Sequence, residues 1–310
     1  MPRVFRRTLA VSVLVSLLWG SNFVAQKVGL RYAEPIFLSS VRQWGGGVLL
    51  VVVALIAGRR AFPRRDELPA IAWLGLFMGL TGGFLYLGLA RLGAGLASIL
   101  LYTFPLITAL GAAVVLHERL DGRALAGIVA GFAGVAMLAG RLGAATGLGV
   151  VFTVAAAASW ATTSVLYKAM AADPAAARRD ALLFTAWSLL GGAVTQSVLS
   201  LAVEGLPRLE PTAGLLWSYL YMTIPGLAVP WALWYALLRW GDASRASAML
   251  FMTPVFGVFF GWWLLGETVS AMQLIGGGLV AAAIVLVAPS SQPAPAETPA
   301  PTSTRPAERP

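Results

Sequence analysis

Long apolar runs broken by short polar turns set the pattern of this 310-residue chain. A helix needs about 20 apolar residues to cross the hydrocarbon core of a bilayer. Ten stretches meet that need, at roughly 8–30, 36–58, 68–90, 94–116, 122–140, 147–170, 180–203, 213–238, 243–265 and 269–288. The few polar side chains inside them recur at helical spacing. In the first run Trp19, Asn22, Phe23 and Gln26 fall on one face, and in the sixth Trp160, Thr163, Ser164 and Tyr167 do the same. Polar groups are unfavourable against lipid, so these stripes are expected to face the protein interior or a water-filled cavity. The pattern predicts an all-α integral membrane protein. Residues 1–7 read as a short N-terminal lead. Residues 289–310 hold seven prolines among Ser, Thr and Ala and read as a disordered tail.

Composition supports lipid as the solvent. Hydrophobic residues make up 58% and charged residues 11% of the chain, against roughly 25% charged in soluble domains. There is no cysteine and one histidine. That excludes disulfides and thiolate metal sites and leaves a membrane enzyme almost no inventory. No catalytic residue, metal or cofactor is expected. The net charge of +9 sits on arginines that punctuate apolar runs without forming a basic stripe, so no nucleic-acid partner is expected. The first run is too long for a cleavable signal.

Basic residues favour cytoplasmic loops. Arg3, Arg6 and Arg7 precede the first span, and Arg59, Arg60, Arg64 and Arg65 follow the second. Arg119 and Arg123 follow the fourth, Arg178 and Arg179 the sixth, and Arg239 and Arg245 flank the turn after the eighth. The alternate loops hold far fewer, which predicts that both termini are cytoplasmic.

The chain reads as one unit written twice. Trp19 and Lys27 recur as Trp160 and Lys168 at a shift of 141 residues. At a shift of 149, Tyr86 pairs with Tyr235, Ser98 with Ser247, Pro105 with Pro254 and Glu118 with Glu267. Each half, 8–141 and 142–288, holds five spans. Five is odd, so the second half should enter the membrane inverted relative to the first. The expected fold is ten transmembrane helices as two inverted five-helix repeats, with a site near the midplane between them.

On these residues the chain resembles ten-helix members of the drug/metabolite transporter superfamily, the EamA family. The resemblance covers essentially residues 8–288. It rests on Trp19-Gly20-Ser21-Asn22, on Arg42 early in helix two, on Pro105 with the following Glu118, and on the counterparts Trp160, Pro254 and Gly266-Glu267. It implies export of small metabolites by alternating access, from a bacterial inner membrane. The aromatic-rich centre is most similar to exporters of aromatic and other neutral amino acids. Other metabolites, nucleosides, drugs or a lipid-linked sugar remain open as substrates.

Candidate substrate contacts are Trp19, Asn22, Phe84, Tyr86, Tyr102, Phe104, Trp160, Ser164, Tyr235, Ser247 and Phe251. The same hydroxyls and amides also suit interhelical hydrogen bonding, and a tyrosine near an interface can serve as an anchor. Pro105 and Pro254 fall halfway along their spans, where proline removes a backbone donor. With Gly82 and Gly83 they are candidate hinges. Lys27 and Lys168 lie near helix ends, either snorkelling to the interface or acting as gate charges. Arg42 is read as pairing with backbone carbonyls or attracting an anion. Every Asp and Glu falls in a predicted loop, tail or helix end, so transport without obligatory proton coupling is expected. A chain holding both halves can form the pathway alone, so the expected partners are a small-molecule substrate and the bilayer, with the protein a monomer.

Overall fold

The computed structural model describes residues 3–117, 120–139, 144–171, 179–233 and 252–287. These residues are predominantly helical, and the ten predicted stretches are helical almost throughout wherever they are described, the one interruption in a span being at 102–103. The helices are α1 (Arg3–Gly29), α2 (Pro35–Ile56), α3 (Leu68–Leu89), α4 (Ala94–Leu101), α5 (Phe104–Val115), α6 (Gly122–Ala139), α7 (Ala144–Ala171), α8 (Ala181–Val203), α9 (Ala213–Thr223), α10 (Thr253–Leu265) and α11 (Ala271–Val287). Among the described residues six helical stretches are long and apolar enough to span a bilayer, and three shorter apolar ones lie within α6, α10 and α11. Many large apolar side chains lie on the outside, among them Val48, Val52, Trp73, Val198, Trp217 and Trp262. An apolar surface of that extent belongs against lipid.

Local chemistry sets the helix limits. Prolines occupy the first turn of α2, α3, α5 and α10, where their missing N–H is no loss. Asp180 caps α8 by accepting from Leu182 and Leu183 N–H, and Thr212 caps α9 through Leu215 N–H. Gly266 ends α10 at φ +66°, a conformation open to a residue without Cβ.

The predicted fourth span is two segments. α4 stops at Leu101, Tyr102 and Thr103 form a turn, and α5 starts at Phe104. The physical reason is Pro105, which cannot donate to the carbonyl four residues back and clashes with it. The eighth span is also irregular. After α9 the chain widens into a π turn over Ile224–Ala228 and resumes helical geometry through residue 233. Pro225 lies in the first positions of that widening and Pro230 just after it, each without a donor.

Equivalent pairings recur across the bundle. α3 packs along α7 and α9 along α1; α1 packs along α10 and α7 along α5; α2 pairs with α8 and α6 with α11. The α2–α8 pair is pinned at both ends. Glu204, just after α8, accepts from Ile36 N–H (2.7 Å), Phe37 N–H (2.9 Å) and Ser200 Oγ–H (2.8 Å). Beyond the other end, Arg59 pairs with Asp180 at 2.5 Å.

Close approaches rest on glycine. A Cβ on Gly20 would lie 2.5 Å from Phe256 Cβ and 2.9 Å from both Gly257 N and Thr253 O. Backbone atoms cannot yield as a side chain can. Gly20→Leu is therefore expected to destabilise the protein by about 3 kcal/mol, at the upper end of ordinary overpacking. Thermal unfolding of the detergent-purified protein checks this, with Gly20→Ala falling between the two. A Gly20→Leu protein as stable as the parent would mean that α1 and α10 do not meet there.

Candidate functional site

Two structural irregularities face the interior, and some of the predicted site residues gather at them. The first is the break between α4 and α5. Phe104 stacks on Trp160 of α7, with ring centroids 4.5 Å apart and planes within 5°. Tyr102 stands edge-on to both, at 5.9 and 6.3 Å. Tyr102 is buried, with its hydroxyl facing Thr253 at the start of α10, while Trp160 and Phe104 keep part of their surface open. Pro105 follows immediately, and Pro254 sits opposite, its carbonyl 3.4 Å from Ser98 Oγ. Residues from both halves of the chain thus form one aromatic corner at the break between α4 and α5, facing the start of α10.

The second irregularity is the π turn after α9. Pro230 has no N–H, so Gly226 O, its α-helical partner four residues back, lacks that donor. Asn22 Nδ2 of α1 donates to it at 3.2 Å. One turn earlier, Arg42 Nε of α2 donates to Met222 O at 3.1 Å. Ser21 Oγ and Tyr221 Oη share a hydrogen bond of 2.7 Å, and Tyr86 Oη donates to Met222 Sδ at 3.4 Å. Trp19 meets Trp231 edge-to-face at 6.0 Å. Several polar atoms in the interior have no protein partner, including Asn22 Oδ1, Gln26 Oε1, Ser39 Oγ and Thr223 Oγ1.

Apart from Tyr86, which reaches the second irregularity through Met222, the other predicted residues that are described fall elsewhere. Phe84 stacks on Phe152, centroids 6.3 Å apart, outside the aromatic corner. Tyr86 is fully buried and offers no open face in this conformation. Ser164 donates to Trp160 O in its own helix. Gly82 lies against Gln196 and Ser39, and Gly83 has only Ile36 near its open side. Tyr235, Ser247, Phe251 and Glu118 lie outside the described residues, as does the proline-rich tail.

Lys27 and Glu267 hold one turn between them. Lys27 Nζ donates to Leu89 O and Leu92 O, both at 2.7 Å, satisfying carbonyls at the end of α3. Glu267 accepts from Ala94 N–H at 2.5 Å and Gly95 N–H at 3.0 Å, at the start of α4. A cation on carbonyls and an anion on amides match the two helix-end dipoles. Lys168 is exposed in the last turn of α7. A cleft of about 420 Å³ opens beside Glu267, lined by Leu96, Ile99, Val258 and Gln273 among others. It lies at helix ends, and both Glu267 oxygens are already engaged. Among the described residues no group of three or more His, Asp or Glu could hold a metal.

The EamA-like transporter family matches residues 7–140 and again 147–288. The chain belongs to the EamA-like transporter family. Each half of it carries the family pattern. A relative in Bacillus subtilis (strain 168), "Uncharacterized transporter YoaV", is 28% identical over 279 residues, covering 88% of this chain and 94% of that protein. A "Probable amino-acid metabolite efflux pump" of Salmonella typhimurium (strain LT2) is 31% identical over 291 residues, covering 89% and 93%. One of the same description in Escherichia coli (strain K12) is 29% identical over 291 residues, covering 89% and 92%. A solved crystal structure shares the fold, with a TM-score of 0.61 at 20% identity over 91% of this chain and 98% of that one.

Sequence reasoning missed Tyr221 and Met222, and it left Arg42 outside the site. The prolines at 225 and 230 signal an irregular turn. They do not say which side chains from α1, α2 and α3 reach it.

Proposed function

We propose that this EamA-family protein is a secondary exporter of small metabolites, with neutral and aromatic amino acids as its substrate class. The observation carrying this reading is the corner formed by Tyr102, Phe104 and Trp160. It joins residues from both halves, at a break in one helix, with ring surface left open. Flat apolar walls with a few oriented polar groups suit a ligand of amino-acid size. The relatives described as "Probable amino-acid metabolite efflux pump" support the same reading.

The recurring pairings support a reading of alternating access between two inverted halves, since near-equal halves can exchange two mirror-related states. Both termini lie in the cytoplasm, in an inner membrane, and no chemistry is catalysed. Transport runs without obligatory proton coupling. Three of the described acids are engaged at helix ends: Asp180 caps α8, Glu204 holds the start of α2 and Glu267 the start of α4. Proteoliposomes loaded with labelled phenylalanine are expected to show counterflow of equal rate with and without a pH difference. A rate that rises several-fold with an imposed gradient would overturn the uncoupled mechanism. Absence of phenylalanine counterflow, with flux of nucleosides or drugs instead, would overturn the substrate class.

A further inference from the structure

Arg42 is a cation in the interior of a membrane protein, with no anion beside it among the described residues. It is the eighth residue of α2, about 10 Å along the helix axis from its start. Among the described residues the ion pairs are Arg59–Asp180 and Arg64–Asp66, so no carboxylate there neutralises Arg42. A guanidinium inside a bilayer protein marks a ligand or ion path by default. Its position is set by the turn after α9, because Nε donates to Met222 O. The Tyr86 hydroxyl lies beside the same guanidinium. Arg42 keeps part of its surface open while Asn22, Gln26 and Tyr86 around the turn are buried. A guanidinium has five N–H donors in a flat fork, and one bond to a carbonyl leaves most of them for a second ligand.

The acceptors nearby complete the pattern. Asn22 is held by its Nδ2 bond to Gly226 O, about one helical turn from Met222. Its Oδ1 has no donor, and neither has Oε1 of Gln26 one turn along α1. Both side chains are more than nine-tenths buried. A buried acceptor without a donor is a deficit that a ligand can make good.

We propose that Arg42 binds the carboxylate of the transported molecule, and that Asn22 and Gln26 accept from its ammonium group. The site then selects zwitterions, with the side chain of the substrate directed to the aromatic corner. This deepens the reading above and rests on it for the identity of the pathway. It makes Arg42 a specificity-determining residue.

The test is equilibrium binding to the purified full chain of three probes: phenylalanine, phenylalaninamide, which lacks the carboxylate, and 3-phenylpropionate, which lacks the ammonium. A bidentate charge-assisted contact predicts that phenylalanine binds about 10- to 100-fold more tightly than its amide. In Arg42→Gln that ratio is expected to fall to about 2 or less, and Arg42→Lys to retain part of it. Ser40→Ala, on the same helix as Arg42, removes a part-buried hydrogen bond to Ser197 of α8; it controls for general loss of stability and should keep the parent ratio. Acid and amide binding alike in the parent, binding of neither, or an unchanged ratio in Arg42→Gln would overturn the assignment. If phenylalanine fails to bind but 3-phenylpropionate binds and is lost in Arg42→Gln, the amino-acid reading falls and the role of Arg42 stands. If phenylalanine and its amide are exported equally, transport stands and the role of Arg42 falls.

Discussion

Trp160→Ala is expected to weaken phenylalanine binding by about 10- to 100-fold, with a smaller effect on folding. The indole lies flat on Phe104, with the rings 4.5 Å apart and 5° from parallel, and Tyr102 closes the corner edge-on. An aromatic pair is worth about 0.5–1.5 kcal/mol beyond its buried area. Removing the indole also takes away the apolar surface a ligand would cover, at about 25 cal/mol per Å². Together these come to roughly 1.5–3 kcal/mol of binding. Because Trp160 is only part-buried, less of its surface supports the fold than a fully buried ring would. Titration of the purified variant, alongside its thermal unfolding, separates the two effects. Trp160→Phe should restore most of the affinity. An alanine variant that unfolds early yet binds normally would make this a packing residue and remove the main support for the proposed site.

Glu267→Ala carries the largest expected effect on stability. The carboxylate accepts from two buried amides at the start of α4, Ala94 and Gly95. It packs so closely that a Cβ on Gly93 or Gly261 would fall within 2.9 Å of it. Hydrogen bonds to a charged group contribute about 1.5–3 kcal/mol each, and the orphaned amides are unfavourable in addition. The loss is expected to reach about 3–5 kcal/mol, read as a large drop in melting temperature and in folded yield. Glu267→Gln keeps one acceptor oxygen and turns an amide donor toward a backbone donor, so it should recover only a minor part. Loosening α4 also frees its contacts with α10, so any Glu267→Gln protein that folds should show faster, leakier counterflow. Melting curves that overlay the parent for both variants would mean that this carboxylate does not hold α4.

Some of this was legible along the chain. Span limits could be read because apolar length, first-turn prolines and glycine stops act locally. Helix eight, expected at 213–238, starts within one residue of that as α9, and helix seven, expected at 180–203, is α8. Tyr102, Phe104 and Trp160 were predicted as site residues and come together, because prolines and aromatic clusters announce themselves in sequence. The turn at Tyr102–Thr103 as a full break between two helices was not legible, since proline kinks many helices without splitting them. Lys27 shows the opposite limit. Its place near a helix end was readable, but its two carbonyl partners lie more than sixty residues away in sequence.

Length, hydropathy and internal repetition, all properties of the chain read in order, were enough to predict a helical membrane protein in two related halves, and the motifs at Trp19–Asn22, Pro105 and Pro254 carried its resemblance to the EamA family. They act through lipid, which demands apolar surface and internally satisfied backbone whatever the tertiary arrangement. The partners of polar side chains were decided only by the packed bundle. Asn22, Arg42, Lys27, Glu204 and Glu267 each engage backbone groups of a distant helix. A backbone carbonyl or amide leaves no trace in residue identity, so no pattern along the chain can point to it. Folding brings such groups within reach, and it sets Arg42 beside a distorted turn, with Nε on Met222 O.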